Sequence, residues 1–254
     1  MGALQGRTAW ITGGGTGIGR AGALDLAAAG AKVWVSGRRR EQLDAVVGEI
    51  TAAGGKADAA VLDVADAHAV AATAETILGA DGAVDILVNG AGVNAPNRHF
   101  KDLTPEAWDR VMAINVNGAL YCIQAVLPSM RAKGGGLVIN IASWAGKQHV
   151  YFTGAAYTAS KHAMVAMTLS LNLEECANGI RATAICPGEV ATPILRNRPI
   201  PPSEEELARM LTPEDLGRTI RFVAESPPHV CFNEILVSPT WNRMFLGGDD
   251  IARR

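Results

Sequence analysis

Short runs of β-branched and apolar residues alternate along the chain with longer Ala-rich stretches whose apolar positions recur at helical spacing. The pattern predicts strands at Thr8–Thr12, Val33–Ser36, Ala57–Leu62 and Ile86–Asn89, with helices at Ala21–Ala29, Glu41–Ala53 and Ala67–Leu78 between them. It continues with helical segments around Glu106–Arg131, Ala155–Ala177 and Glu214–Glu225, and with strands at Leu137–Ala142, Ala182–Cys186 and Glu234–Val237. Strands such as Ile86-Leu87-Val88 are apolar throughout, which implies burial on both faces. A doubly wound α/β fold, a parallel sheet of about seven strands with helices on both sides, meets that need.

Several boundaries carry their own chemistry. Gly30 and Gly54 follow Ala-rich helices as terminating residues, and Thr212-Pro213-Glu214-Asp215 combines an N-cap, a proline in the first turn and a capping-box acid. Thr192–Pro202 holds Pro193, Pro199, Pro201 and Pro202 and is followed by Ser203-Glu204-Glu205-Glu206, another capped helix start. Residues 192–210 are therefore expected to form a loop or lid over a site, an ordinary surface loop being the plainer alternative.

With no linker or repeat visible, the 254 residues are read as one domain, 1–254. No run reaches about 18 consecutive apolar residues and no secretory signal opens the chain, so neither a membrane span nor export is expected and the cytoplasm is the default location. The formal charge of −2 calls for neither nucleic acid nor an anionic membrane, leaving small molecules as partners. Cys122, Cys176, Cys186 and Cys231 show no CxxC spacing and the five histidines no ligand pair, so buried thiols and no metal site are expected.

Directly after the first strand comes Thr12-Gly13-Gly14-Gly15-Thr16-Gly17-Ile18-Gly19, then a helix. Glycines there permit tight turns, and the helix N-terminus offers free N–H groups to a pyrophosphate, as in a Rossmann-type dinucleotide site. A carboxylate at the end of the second strand would bind the ribose 2′-hydroxyl of NAD. This strand ends Val35-Ser36-Gly37-Arg38-Arg39-Arg40 instead, which points to the 2′-phosphate of NADP, with Arg38 as first candidate and Arg39 as second. A solvated basic helix start is the alternative.

Tyr157-Thr158-Ala159-Ser160-Lys161 lies in a helical run that places Tyr157 and Lys161 on one face. A free tyrosine titrates near a pKa of about 10. Lowering that by two or three units needs roughly 3–4 kcal/mol, a term one ammonium about 4 Å away can supply at intermediate dielectric. The spacing alone also fits a packed ring beside a surface amine.

Together with Thr12–Gly19, Asn89-Gly90-Ala91-Gly92, Asn115, Ser143 and Pro187-Gly188, in that order and at consistent separations, this pentapeptide resembles the signature of the short-chain dehydrogenase/reductase family. The resemblance covers essentially the whole chain. It implies Tyr157 as general acid/base, Lys161 lowering its pKa and holding the nicotinamide ribose, Ser143 hydrogen-bonding the substrate oxygen, and Asn115 anchoring a water in a proton relay. It also implies that Asp63 and Val64 meet the adenine, that Asn89, Ala91 and Gly92 line the cofactor trough, and that Glu189, Val190 and Thr192 run past the carboxamide beyond Pro187-Gly188. Gly13, Gly15, Thr16, Gly17, Ile18, Gly19 and Gly37 complete the cofactor set.

Two departures stand out: Gly90 occupies the second position of a turn usually read NNAG, and Asn233–Thr240 lacks the Asp-Gly-Gly ending of many members. The expected activity is hydride transfer between NADP(H) and a ketone, aldehyde or secondary alcohol. An NAD-preferring dehydrogenase and a non-catalytic nucleotide sensor are the alternatives, and a serine hydrolase is disfavoured because no G-x-S-x-G elbow exists. Val93–Phe100, Trp144–Thr153 and Glu189–Ile200 are candidate substrate walls, whose mixture of Trp144, Tyr151 and Phe152 with Arg98, His149, Arg196 and Arg198 fits an acidic or a merely bulky carbonyl compound. A homotetramer, or a homodimer, is the assembly the resemblance implies.

Overall fold

Seven parallel strands form one sheet in the order β3-β2-β1-β4-β5-β6-β7, where β1 is Thr8–Thr12, β2 Lys32–Gly37, β3 Lys56–Val61, β4 Ile86–Asn89, β5 Gly136–Ile141, β6 Ile180–Pro187 and β7 Glu234–Val237. This computed structural model describes residues 2–197, 201–242 and 245, and only the backbone of Arg196 and Asn197. Every residue of β1 and β4 is buried. The reason is the layering the apolar runs demanded. Ala9, Ile11, Val33, Val35 and Val88 face a core shared with helices α1 (Gly17–Ala28), α2 (Arg40–Ala52) and α8 (Pro213–Glu225). Trp10, Trp34, Leu87 and Val138 point the other way, toward α3 (Ala67–Asp81), α5 (Gly118–Lys133) and α6 (Ala155–Glu175). Trp10 can be wholly buried because its indole N–H donates to Ser36 Oγ at 2.8 Å.

The doubly wound α/β architecture therefore stands as expected, and the departures are local. Helix α1 begins four residues before the predicted Ala21, drawing Gly17-Ile18-Gly19 into its first turn. The stretch predicted as one helix over Glu106–Arg131 is α4 (Pro105–Met112) and α5 joined by a π-helical turn, Ala113–Asn117. Among the described residues this stretch, Pro105–Lys133, has the length and apolarity to cross a bilayer. Its buried residues Cys122, Ile123, Val126 and Met130 belong to the core on the α5 side of the sheet, which accounts for that apolarity.

Gly30 and Gly54 follow the last residues of α1 and α2 as expected. Capping boxes form at Ser203 with Glu206, opening α7 (Glu204–Ala208), and at Thr212 with Asp215, opening α8. One expectation needs correction: Cys122 and Cys186 are buried thiols, but Cys176 and Cys231 are exposed. Cys176 falls on the turn after α6 and Cys231 on the loop before β7, outside the packed layers.

Candidate active site

The winding of the sheet reverses between β1 and β4, and a cavity of about 350 Å³ opens there beyond the C-terminal ends of the strands. Its first wall is the turn from β1 into α1. Gly13 has φ +66°, and a Cβ there would lie 2.7 Å from the Gly90 carbonyl oxygen; a Cβ on Gly19 would lie 2.3 Å from the Gly13 oxygen. Side chains at either position would push the two turns apart, so the glycines set a backbone-lined trough. Thr16 occupies the N-cap of α1 without a side-chain cap bond, and the first turn carries no acid. The positive end of the helix thus meets the cavity at Gly15–Gly19 with its leading N–H groups uncapped by a side chain, an arrangement that fits a pyrophosphate.

The end of β2 forms the next wall, where Gly37, Arg38 and Arg39 line the cavity and Arg40 does not. The chain itself sorts the three arginines: Arg40 is turned to Asp44 one helical turn on, Nε to Oδ1 at 2.8 Å, while Arg38 and Arg39 have no carboxylate partner among the described residues. Asp63 and Val64, just beyond β3, line the same end. Gln42 and Leu43 join them. They lie on the first turns of α2, and nothing in their sequence pattern distinguishes them from ordinary helix positions.

Tyr157 and Lys161 project from α6 into the other end, facing Ser143 at the close of β5. Lys161 is 4% exposed, its ammonium donates to the Ile141 carbonyl at 2.7 Å, and Nζ sits 5.5 Å from the centre of the Tyr157 ring. Burial pulls the lysine down to a pKa of about 8, partly opposed by nearby Cys186, so it stays largely cationic at neutral pH. That shift has a stability consequence. Between pH of about 8 and the ordinary lysine value of 10.5 the unfolded chain holds a proton that the native chain has released, so native stability rises with pH across that window. Relative to Lys161→Met, the cofactor-free wild type is expected to gain about 1 kcal/mol in urea unfolding between pH 7 and pH 9. A constant difference between the two proteins would mean that the ammonium is not desolvated.

Asn115 sits in the π-helical turn, fully buried, and does not line the cavity. Its Oδ1 accepts from Val93 N at 2.8 Å, and its Nδ2 donates to Val93 O at 2.9 Å and to Ser160 Oγ at 3.0 Å. Ser160 in turn donates to the Tyr157 carbonyl at 2.8 Å. The loop after β4 is thereby tied through Asn115 to the backbone of Tyr157. The side-chain amide of Asn115 is thus taken up by Val93 and Ser160. Ser160 stands inside the pentapeptide but behind the cavity wall, and its positioning bonds appear only in the folded chain.

Asn89 likewise lies behind the cavity, donating to Asn140 Oδ1 at 2.9 Å. Asn140 continues to Thr168, which bonds back to the Met164 carbonyl, so this chain of amides fixes α6 on the sheet. Ala91, Gly92, Pro187, Gly188, Val190 and Thr192 all line the cavity, as do Gly90 and Glu189. Among the proposed walls Arg98, Trp144 and Phe152 line it, whereas Tyr151 stacks on His99 and His149 on His162, away from the opening. The Arg196 side chain and Arg198 lie outside the described residues. No cluster of metal-ligating side chains exists among the described residues.

Comparison with known proteins agrees with this geometry. The short chain dehydrogenase family model matches residues 7–201. The chain is 36% identical to a 3-oxoacyl-[acyl-carrier-protein] reductase of Synechocystis over 89% of its length and 92% of that protein, and 34% identical to a cyclohexanol dehydrogenase of an Acinetobacter species over 84% and 81%. It superposes with a TM-score of 0.82 on a metagenomic short-chain oxidoreductase crystallised in complex with NADP, at 33% identity over 94% of this chain and all of that one.

Proposed function

The chain belongs to the short-chain dehydrogenase/reductase family and is an NAD(P)-dependent oxidoreductase; from that premise we propose that it prefers NADP(H) and interconverts a ketone or aldehyde with the corresponding alcohol. The observation that carries the cofactor reading is the arginine pair Arg38 and Arg39 on the cavity wall where an NAD-selecting carboxylate would stand. Gly13, Gly15–Gly19 and the α1 N-terminus would hold the pyrophosphate, Asp63 and Val64 the adenine, and Lys161 the nicotinamide ribose. When bound, the cofactor gives or takes a hydride at the substrate carbon.

The protein's own part is to manage the oxygen. Ser143 Oγ accepts from Ala145 N at 3.1 Å, which leaves its O–H to donate to a carbonyl oxygen. The Tyr157 hydroxyl delivers its proton to that same oxygen during reduction and removes it during oxidation, and the Lys161 ammonium favours the phenolate left behind. Residues 192–210, of which 198–200 lie outside the described residues, would act as the lid: Thr192–Leu195 line the cavity, and Val190 pairs with Leu211. The test is initial rates on a panel of carbonyl compounds with NADPH and NADH. No turnover with either cofactor would end this reading, and a higher kcat/KM with NADH would end its cofactor half.

We also infer assembly into a homotetramer or homodimer through the outer faces of α5 and α6, where Leu120, Leu169 and Leu173 remain exposed. A single-chain mass by light scattering would remove that inference.

A further inference from the structure

We propose that the substrate is an uncharged carbonyl compound with an apolar body, in which the reacting oxygen is the one polar group the protein recognises; this rests on the carbonyl–alcohol reading above. Beside Ser143 and Tyr157 the cavity is walled by Val93, Trp144, Val150, Phe152, Ile194 and Leu195. Of the polar side chains that interrupt that wall, Asn94, Thr153, Arg98 and Thr192 are turned to the protein's own loops, Thr192 through Oγ1 to Val190 O at 3.3 Å. Asn94 accepts from Ala95 N at 2.7 Å and donates to Thr153 O at 3.0 Å, so both ends of its amide are engaged. Thr153 Oγ1 bonds to Val150 O at 2.7 Å and to Thr158 Oγ1 at 3.0 Å.

Arg98, which by charge alone would suit an anion, donates from Nε to Ala95 O at 3.2 Å and from Nη1 to Phe152 O at 2.9 Å. Its guanidinium staples the loop after β4 to the loop before α6, which is work that fixes the wall. Glu189 stands on the same cavity with the opposite charge, so the two do not sum to a field that would draw in an anion. A carboxylate pressed against such a wall loses its hydration and meets an Arg98 that already gives Nε and Nη1 to backbone carbonyls, whereas an alkyl or aryl body gains from the same burial.

The experiment uses the purified protein with NADPH and two ketones of one skeleton, acetophenone and para-acetylbenzoate. Acetophenone is expected to show a kcat/KM at least about tenfold higher. Equal or better turnover of the carboxylate overturns the proposal. A second arm moves the selectivity: Ile194 is 41% exposed and can accept a long polar side chain, so Ile194→Lys is expected to shift the ratio of the two kcat/KM values toward the carboxylate by about tenfold. An unchanged ratio in a folded variant means that this wall does not meet the substrate and overturns the assignment. Reduction of aliphatic keto acids with neither aryl ketone accepted overturns the substrate class and leaves the oxidoreductase reading standing. Inertness toward every carbonyl tested removes both.

Discussion

Tyr157→Phe is expected to lower kcat by about a thousandfold or more while the Kd for NADPH changes by no more than about twofold. The asymmetry follows from what the substitution removes. The ring stays, and with it the packing that places α6 and the cation 5.5 Å from the ring centre. Lys161 keeps its bond to Ile141 O, and the Asn115–Ser160 tie reaches the main chain at position 157, which the substitution leaves intact. What goes is the O–H proposed to hand a proton to the substrate oxygen. Ser143 still stabilises charge there, so a residual rate above the uncatalysed reaction is expected. Binding is read by NADPH fluorescence titration and chemistry by single-turnover absorbance. Retention of a tenth of the wild-type rate would show that the proton comes from elsewhere, and a matched loss of NADPH binding would mean that the hydroxyl serves the cofactor.

The parts of this fold legible in the sequence are those governed by near neighbours along the chain. Ile86-Leu87-Val88 could be read as a doubly buried strand because a parallel sheet leaves both faces covered, and Thr212-Pro213-Glu214-Asp215 could be read as a helix start because a cap bonds within its own first turn. What stayed hidden depends on contacts between distant segments. The π-helical turn at Ala113–Asn117 has no periodic signature of its own, being one widened turn inside an otherwise continuous helix.

The same holds at the candidate site. Arg38, Tyr157 and Lys161 announced themselves by position relative to a strand end or to each other. The engagement of Arg98 with Phe152 O, 54 residues away, and of Asn115 with Val93, 22 residues away, exists only once the loops are folded side by side. A sequence shows that a cation is present near a cavity; it does not show that two of its nitrogens are given to backbone carbonyls.

The arginines after β2 give the second large effect. Arg38→Ala is expected to reduce kcat/KM for NADPH by about ten- to a hundredfold and to leave that for NADH within about threefold, because a hydrogen bond to a charged group contributes roughly 1.5–3 kcal/mol and each 1.4 kcal/mol is about tenfold. Removing Arg39 as well should deepen the loss, since both line the cavity and neither has a carboxylate partner among the described residues. Arg40→Ala is the matched control: it deletes the same charge one step further on, but its guanidinium is held by Asp44 and stands off the cavity wall, so NADPH selectivity should survive. Both cavity arginines are exposed, and screening therefore weakens their pull on a phosphate. The NADPH preference of the wild type should fall as salt is raised from 50 to 500 mM, by a smaller factor in Arg38→Ala than in the parent. Equal effects of Arg38→Ala and Arg40→Ala would reduce the basic stretch to a diffuse surface charge, and the selection of cofactor would then have to come from the neighbouring Gln42 or Asp63 on the same wall.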